Sequence, residues 1–387
     1  MIRSFKYAIY PSRQQRAALE SWLRLERELY NAALQERKEA YQKQGISISL
    51  YDQTYQIKGL RRDRAELAEI PFTSAFAVLD RLNKAFGAFF CRVKSGEKPG
   101  YPRFKGASRW DSIPFAQITK SPIVAGGKRI KVPNLGTVKA KIHRPLEGRP
   151  RTMTLKRDYA GRWFCSIACD QVPAAPLPAT GREVGIDLGL LSLVASSDGT
   201  ALENPCPLAA ARIALERAQR RVSRRKRGGK RRKAAVRLLA RHHAHVANIR
   251  RENHICTARS LVAQYDTIFV EKLNIRGMSR GMLAKSVNDA AWGGFLHWLH
   301  VKAESAGREV VEVDPRGTSQ TCSKCGVEVH KELWQRTHRC PSCGLVMDRD
   351  VNAALNILER GQRLRGGALD VVRPLRSAEY TRSLSCI

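Results

Sequence analysis

Two cysteine pairs, Cys322-Ser323-Lys324-Cys325 and Cys340-Pro341-Ser342-Cys343, bracket a hydrophilic loop of 14 residues. Four thiolates on two such knuckles can meet at one zinc ion, and four protein ligands leave no open position for water, so the zinc expected here is structural. His330 and His338 lie inside the loop, break the paired spacing and are expected to be solvated. Directly after the second pair, Asp348-Arg349-Asp350-Val351-Asn352-Ala353-Ala354 sets an acidic cluster at the mouth of a helix expected over 352–360. Two more carboxylates interrupt apolar, strand-like runs: Asp187 in Val184-Gly185-Ile186-Asp187-Leu188-Gly189, and Glu271 in Thr267-Ile268-Phe269-Val270-Glu271. Taken alone, Asp187 also reads as an exposed residue at a strand end. Burying a lone carboxylate costs free energy unless positive charge stands beside it. Three such groups converging at strand ends and a helix start can bind two magnesium ions about 3.5–4 Å apart, one activating water and one stabilising the leaving oxygen of a phosphodiester. Magnesium takes hard oxygen ligands, which accounts for carboxylates rather than thiolates or imidazoles.

The elements that must position these groups are legible in outline. Phe5, Tyr7 and Ile9 alternate as in a half-buried strand, Pro11 ends it, and Ser12-Arg13-Gln14-Gln15 is a capping box that predicts a helix from residue 13. Leu19, Trp22, Leu23, Leu29, Tyr30 and Ala33, then Phe76, Leu79, Leu82, Phe86 and Phe89, recur at near-helical spacing, so residues 12–95 are expected to be mainly helical. After Lys98-Pro99-Gly100-Tyr101-Pro102-Arg103-Phe104 come short alternating runs at 123–124, 129–132, 137–142, 153–156 and 163–169, which predict a small β-barrel. The first strand resembles these runs, so the helical block reads as an insertion into the barrel. Val172-Pro173-Ala174-Ala175-Pro176-Leu177-Pro178 is too rich in proline for a helix or central strand and marks a linker. Beyond it, Ser192 to Gly199 reads as the hairpin partner of the Asp187 strand, and Arg308 to Asp314 as another strand.

At 387 residues the chain is expected to form several domains, and a hydrophobic fraction of 43% permits real cores. A formal net charge of +34 makes a compact chain repel itself unless a polyanion neutralises it, so nucleic acid is the leading partner. No apolar run is long enough to span a bilayer and the start lacks the apolar stretch of a signal peptide, which predicts a soluble, intracellular protein. Cys91, Cys165, Cys169, Cys206, Cys256 and Cys386 show no pairing framework and are expected to be reduced.

Gly185-Ile186-Asp187-Leu188-Gly189, Val270-Glu271-Lys272-Leu273, Ser319-Gln320-Thr321-Cys322-Ser323-Lys324-Cys325-Gly326 and Asp348 to Ile357 together resemble TnpB, the transposon-encoded RNA-guided nucleases related to type V CRISPR effectors. The likeness covers nearly the whole chain and includes Lys98 to Phe104 and Asp289-Ala290-Ala291-Trp292-Gly293. It implies a multidomain α+β protein: an RNase H-like (RuvC) α/β nuclease domain with an inserted zinc ribbon, preceded by a β-barrel carrying a helical insertion. The expected boundaries are 1–11 plus 96–171 for a wedge-like barrel, 12–95 for the helical recognition insertion, 172–180 for the linker, 181–319 plus 346–360 for the nuclease, 320–345 for the ribbon and 361–387 for a basic tail. The resemblance further implies catalytic Asp187, Glu271 and Asp350 holding magnesium or manganese, two ions in number, with Asp348 left as a cap or turn residue. Cys322, Cys325, Cys340 and Cys343 would hold the zinc. Expected partners are a guide RNA derived from the element end and target double-stranded DNA, bound by one chain per RNA with no membrane involved, in a prokaryotic cytoplasm and on the nucleoid when DNA is engaged. A short flanking DNA motif would be read by the helical block or barrel, where Tyr51, Tyr55, Gln56, Arg81 and Lys84 are equally well explained as surface or core residues. The implied activity is guided DNA cleavage; a nuclease-inactive repressor and a DNA transposase are the alternatives.

Between the first two acidic strands lies a run of ten cations, Arg220, Arg221, Arg224, Arg225, Lys226, Arg227, Lys230, Arg231, Arg232 and Lys233. Charge runs are commonly solvated faces, but this density predicts phosphate contacts from two helices flanking a Gly228-Gly229 turn, contacts that set affinity without reading sequence. Neutralising Arg224, Arg225 and Arg227 together should lower the slope of log affinity against log salt by up to about 3 for nucleic acid. A filter-binding titration across salt concentrations checks this, and an unchanged slope would make the run a solubilising face.

Overall fold

The computed structural model describes residues 1–366 except 119, 125 and 333. In chain order the elements are β1 (Arg3–Tyr10), α1 (Arg13–Gln44), α2 (Leu50–Asp63), α3 (Ala65–Glu69), α4 (Phe72–Lys94), β2 (Ser112–Phe115), β3 (Arg129–Val132), β4 (Gly136–Lys141), β5 (Arg149–Arg157) and β6 (Trp163–Asp170). They continue with β7 (Glu183–Asp187), β8 (Ser192–Ser196), β9 (Ala201–Glu203), α5 (Pro207–Ser223), α6 (Lys230–Gln264), β10 (Thr267–Glu271), α7 (Ile275–Met278), α8 (Ala284–Ala290) and α9 (Trp292–Ala306). The last are β11 (Glu309–Val313), β12 (Thr337–Arg339), β13 (Val346–Asp348) and α10 (Arg349–Gly366). Two units divide the chain, residues 1–173 with 224–241, and residues 174–223 with 242 onward. The basic run from Arg224 onward and the start of α6 thus group with the first unit, whereas the sequence reading set all of 181–319 in one span.

The first unit is built on a six-stranded antiparallel sheet of order β2-β5-β6-β1-β4-β3. Strand β1 pairs with β6 on one side and β4 on the other, so the chain's first strand is central to a sheet whose other members follow about a hundred residues later. Its Phe5, Tyr7 and Ile9 face the core, as do Trp163, Cys165, Ile167 and Cys169 of β6. Of Ile123 and Val124, expected as a strand, Ile123 makes an isolated bridge to Ile130 and Val124 donates to the Arg129 carbonyl, while β2 pairs with β5 at a position that carried no strand expectation. Helices α1 to α4 intervene between β1 and β2 and share one hydrophobic core with the sheet. The Ser12 hydroxyl accepts from the Gln15 N–H and the Gln15 side chain from the Ser12 N–H, which fixes the start of α1.

Inside that core Glu26 is fully buried, accepting from the Ser74 hydroxyl at 2.5 Å and the Trp110 indole at 3.3 Å. Arg81 lies over the Trp110 ring with 5.0 Å to its centroid, so it serves this cluster, while Tyr51 and Tyr55 are exposed and Lys84 pairs with Asp80 at 2.6 Å. Gln56 donates to Glu36 at 2.8 Å.

The second unit holds a five-stranded sheet of order β11-β10-β7-β8-β9, with β10 parallel to both β11 and β7 and with β7, β8 and β9 antiparallel. This mixed sheet, with α10 packed across β7, is the RuvC-like arrangement expected. Of the linker, Val172 is buried and exchanges hydrogen bonds with Met1, whereas the N–H groups of Ala175 and Leu177 donate to Ser305 and Ala306 at the end of α9. The expected tail from 361 begins instead as the last turns of α10, and residues 367–387 lie outside those described. Among the described residues no helix is long and apolar enough to cross a membrane.

Burial pushes the Glu26 carboxyl up to about 8, against the hydrogen bonds from Ser74 and Trp110 and the charge of Arg81. An acid raised on folding contributes its stability fully below the ordinary carboxylate range and loses it as pH climbs toward 8. Thermal unfolding should therefore shift to lower temperature between about pH 4.5 and 8, by an amount equivalent to at most about 5 kcal/mol. Glu26→Gln should flatten that dependence; an identical pH profile in the variant would refute the assignment.

Candidate active site and metal centre

Asp187 and Glu271 are the last residues of β7 and β10, and the parallel register sets Val270 beside Ile186, so the two carboxylates emerge from neighbouring strand ends. Asp350 stands in the first turn of α10, which lies against β7 because residue 185 is glycine. A β-carbon there would sit 2.1 Å from the Ala354 carbonyl oxygen, and one at Gly361 would sit 1.9 Å from the Phe269 ring. Gly189 is placed similarly: its β-carbon would meet the Ser192 carbonyl at 2.7 Å and lie 3.9 Å from Asp350 Oδ2. The glycines of Gly-Ile-Asp-Leu-Gly therefore serve close packing around the acids.

Burial, with Glu271 and Asp350 adding to it, pushes the Asp187 carboxyl up to about 8 against the opposing charge of Arg349. Glu271, 6% exposed, is also raised by burial despite the Thr318 hydroxyl donating to it and the nearby Arg360. Asp350 is engaged by Arg349, whose Nε and Nη2 reach Oδ1 at 3.1 and 3.0 Å, and by Arg336 at 3.8 Å. Asp348 plays a different part. Its Oδ1 accepts from the N–H groups of Asp350 and Val351 at 2.8 and 3.2 Å, capping the helix three residues earlier than the sequence reading set its start.

The four cysteines converge. Their sulfurs all lie within 4.8 Å of one another, with Cys322 to Cys343 at 3.6 Å and Cys325 to Cys340 at 3.5 Å. These separations exceed any disulfide and approach the about 3.8 Å between sulfurs of a tetrahedral zinc–thiolate site. Each knuckle repeats the same backbone pattern. Gly326 and Gly344, at φ 75° and 70°, donate to Cys322 and Cys340 at 2.9 and 3.1 Å, and the cysteine N–H groups donate to Val327 and Leu345 at 2.9 Å. The N–H groups of Cys343 and Ser342 draw the Cys340 thiol down to about 6, while Cys343, despite an N–H from Leu345, is held up by burial and the neighbouring thiols. Among the described residues no other three His, Cys, Asp or Glu side chains gather as a comparable metal-ligating group. His330 is exposed as expected, but His338 is fully buried on β12 against Lys331 because its strand pairing with Met347 turns it inward.

Side chains that the sequence reading gave no role wire this metal centre to the acids. Asn352 accepts from the Ser323 N–H at 3.0 Å and donates to the Thr321 carbonyl at 2.8 Å; Asn356 donates to Thr318 and Thr321 at 2.8 and 2.7 Å; Thr318 in turn bonds Glu271. All three are buried. For Asn352 and Asn356 the sequence signal was polar residues at four-residue spacing on the face of α10 that turns inward; Thr318, in the loop after β11, had none. Trp292 donates to the Gly189 carbonyl at 3.2 Å, and Asp289 accepts from the N–H groups of Leu208 and Ala209 while pairing with Arg250 at 2.8 Å, so the segment 289–293 braces the turn after Asp187 and the start of α5.

The ten basic residues sit on the end of α5, the start of α6 and the turn between, where Gly228 has φ 83°. Arg220, Arg221, Arg224, Lys226, Arg227, Lys230, Arg231 and Lys233 are exposed. Arg225 and Arg232 are half-buried, joined by a bond from Arg232 to the Arg225 carbonyl at 3.1 Å, and help line a hollow of ≈ 340 Å³.

With this geometry in place, comparison with known proteins is decisive at the family level. A curated protein of Streptomyces pristinaespiralis titled "Putative RNA-guided DNA endonuclease" is 35% identical over 388 residues, covering 98% of this chain and 94% of that protein. The TnpB-like protein L79 of Acanthamoeba polyphaga mimivirus is 23% identical over 93% of this chain and 73% of its own length. The chain belongs to the TnpB family. Family models match in three places: "Helix-turn-helix domain" over 1–45, "Probable transposase" over 166–282 and "Cas12f1-like, TNB domain" over 292–357. Residues 1–45 form one strand and one long helix, so the first title does not describe the local structure. A solved Cas12f1-sgRNA-target DNA complex shares the fold at TM-score 0.57 and 17% identity, over 89% of this chain and 83% of that one.

Cys322→Ser should lose the metal of the cysteine centre by elemental analysis and, through Ser323 and Asn352, expose the first turns of α10 to proteolysis at lower temperature. Unchanged metal content with unchanged stability would refute this arrangement.

Proposed function

We propose that this chain is an RNA-guided DNA endonuclease encoded by a transposable element, which takes a guide RNA from the element end and hydrolyses double-stranded DNA that pairs with it beside a short flanking motif. The observation that carries the reading is the emergence of Asp187 and Glu271 from neighbouring strand ends with Asp350 leading the helix packed on β7, in a chain matched along its length by the Streptomyces pristinaespiralis "Putative RNA-guided DNA endonuclease".

Burial beside two other acids makes Asp187 a poor site for uncompensated charge and a good ligand for a divalent cation. The donor set suits magnesium or manganese, and two such ions would supply water activation and stabilisation of the leaving oxygen. Asp187, Glu271 and Asp350 are the residues that would hold them. Thr318 fixes the rotamer of Glu271, the Asp348 cap fixes the turn that carries Asp350, and Arg349 and Arg336 offset negative charge there. The four cysteines suit zinc in a closed, structural site. The basic arm between α5 and α6 would contact phosphates, leaving sequence selection to base pairing with the guide. One chain per RNA, acting in a prokaryotic cytoplasm on nucleoid DNA, completes the reading.

The test is to express the protein with the DNA that flanks its own gene, sequence the RNA retained through a high-salt wash, and use it to direct cleavage of a matching duplex. Asp187→Ala should retain RNA and target binding while cleavage falls by about 10³-fold or more. Cleavage at the wild-type rate would overturn the catalytic assignment, and absence of a defined RNA would overturn the guided reading.

A further inference from the structure

The C-terminal half of α4 and the proline-bearing segment after it carry an aromatic surface to which the nuclease reading gives no role. Phe86 and Phe90 stack with centroids 6.3 Å apart, while Tyr101 meets Phe86 at 5.6 Å and Phe89 at 5.3 Å, both edge-on. Phe90 remains 55% and Tyr101 45% exposed. The surface is held in place. Arg92 Nη2 donates to the Gly100 carbonyl at 3.2 Å, and Asn31 exchanges two hydrogen bonds with the backbone of Lys105, at 2.8 and 3.1 Å.

Its charge says what could cover it. From residue 91 to 105 the chain carries Arg92, Lys94, Lys98, Arg103 and Lys105 against the single acid Glu97. A second copy of a chain of net charge +34 would be repelled by that field. Exposed π-faces within a cationic surface are what unpaired nucleobases on a phosphate backbone require, since each base stacks while its phosphate is neutralised. Pro99 and Pro102 add carbonyl acceptors without N–H donors, and the ribose 2′-hydroxyl is the donor that RNA brings and DNA lacks.

We propose that Phe90 and Tyr101 form a stacking platform for unpaired bases of single-stranded RNA. The platform requires the chain to bind RNA but does not depend on the carboxylates or on cleavage, so the guided-cleavage test above and the one here can fail separately.

The probe is a short single-stranded RNA of mixed sequence bearing 2-aminopurine, titrated into the full-length protein. Stacking should quench its fluorescence. Phe90→Leu with Tyr101→Leu keeps apolar bulk but removes the π-faces; quenching should vanish and affinity fall about tenfold or more, with an unchanged salt slope because no cation is removed. Phe90→Trp should retain the quench, and an unchanged melting temperature will show that the leucine variant is folded. Wild-type quenching and affinity in the leucine variant would overturn the platform, as would equal quenching of a DNA probe of the same sequence. A concentration-dependent dimer in sedimentation, abolished by the leucine variant, would reassign the surface to contact between copies.

Discussion

The backbone of α10 lies so near β7 that a single methyl group at residue 185 would sit 2.1 Å from the Ala354 carbonyl oxygen. That approach brings the helix carrying Asp350 onto the strand ending in Asp187, and a second contact, Gly361 over the Phe269 ring, presses the far end of the helix onto β10. A side chain at either position would force α10 off the sheet, and the acid at its first turn would move with it. The backbone separation decides whether three carboxylates from distant parts of the sequence form one electrostatic group.

Gathering them has a cost that the structure manages locally. Like charges recessed from water at neighbouring strand ends lose hydration and repel each other. The raised pKa of Asp187 and of Glu271 follows from that lost hydration and, at Asp187, from the repulsion as well. Arg349 and Arg336 stand against Asp350, and Thr318 against Glu271. Within an overwhelmingly cationic chain this is an acidic island, while cations crowd the α5–α6 arm. A polyanion would be attracted by the cationic surface and repelled by the island.

What the sequence made legible were features whose chemistry is local. Two C-x-x-C pairs announce their own geometry, the Ser12 capping box announces the start of α1, and a lone acid ending a β-branched run marks Asp187 and Glu271. Features set by distant partners were not legible. Arg81 read equally well as surface or core until Trp110 and Glu26 were seen beside it, and His338 read as solvated because nothing near it in sequence reveals that β12 pairs with β13 and turns it inward. The short strand β2 has too few residues for alternation to stand out, and its pairing with β5 spans some forty residues. Asp348 was expected as a cap or turn residue and does cap α10, but the helix it caps was set to start three residues late, because the charged Arg349 and Asp350 were read as the acidic cluster before the helix rather than as its first turn.

The buried amides on α10 bear on why the cysteine centre precedes the last acid so closely. Asn352 is held by the Ser323 N–H of the first knuckle, Asn356 by the carbonyls of Thr318 and Thr321, and Thr318 reaches Glu271. Asn352 is satisfied only if the knuckle stays folded and Asn356 would lose its bond to Thr321, and an unsatisfied buried amide costs about 1–3 kcal/mol. A metal closing the four thiols would therefore do more than staple a loop. By fixing the backbone at 321–323 it would fix the partners of Asn352 and Asn356, hence the rotation of α10 on the sheet, hence the direction in which Asp350 faces Asp187. The cysteine centre would then be mechanically coupled to the acids, holding still the framework on which Asp187, Glu271 and Asp350 are arrayed.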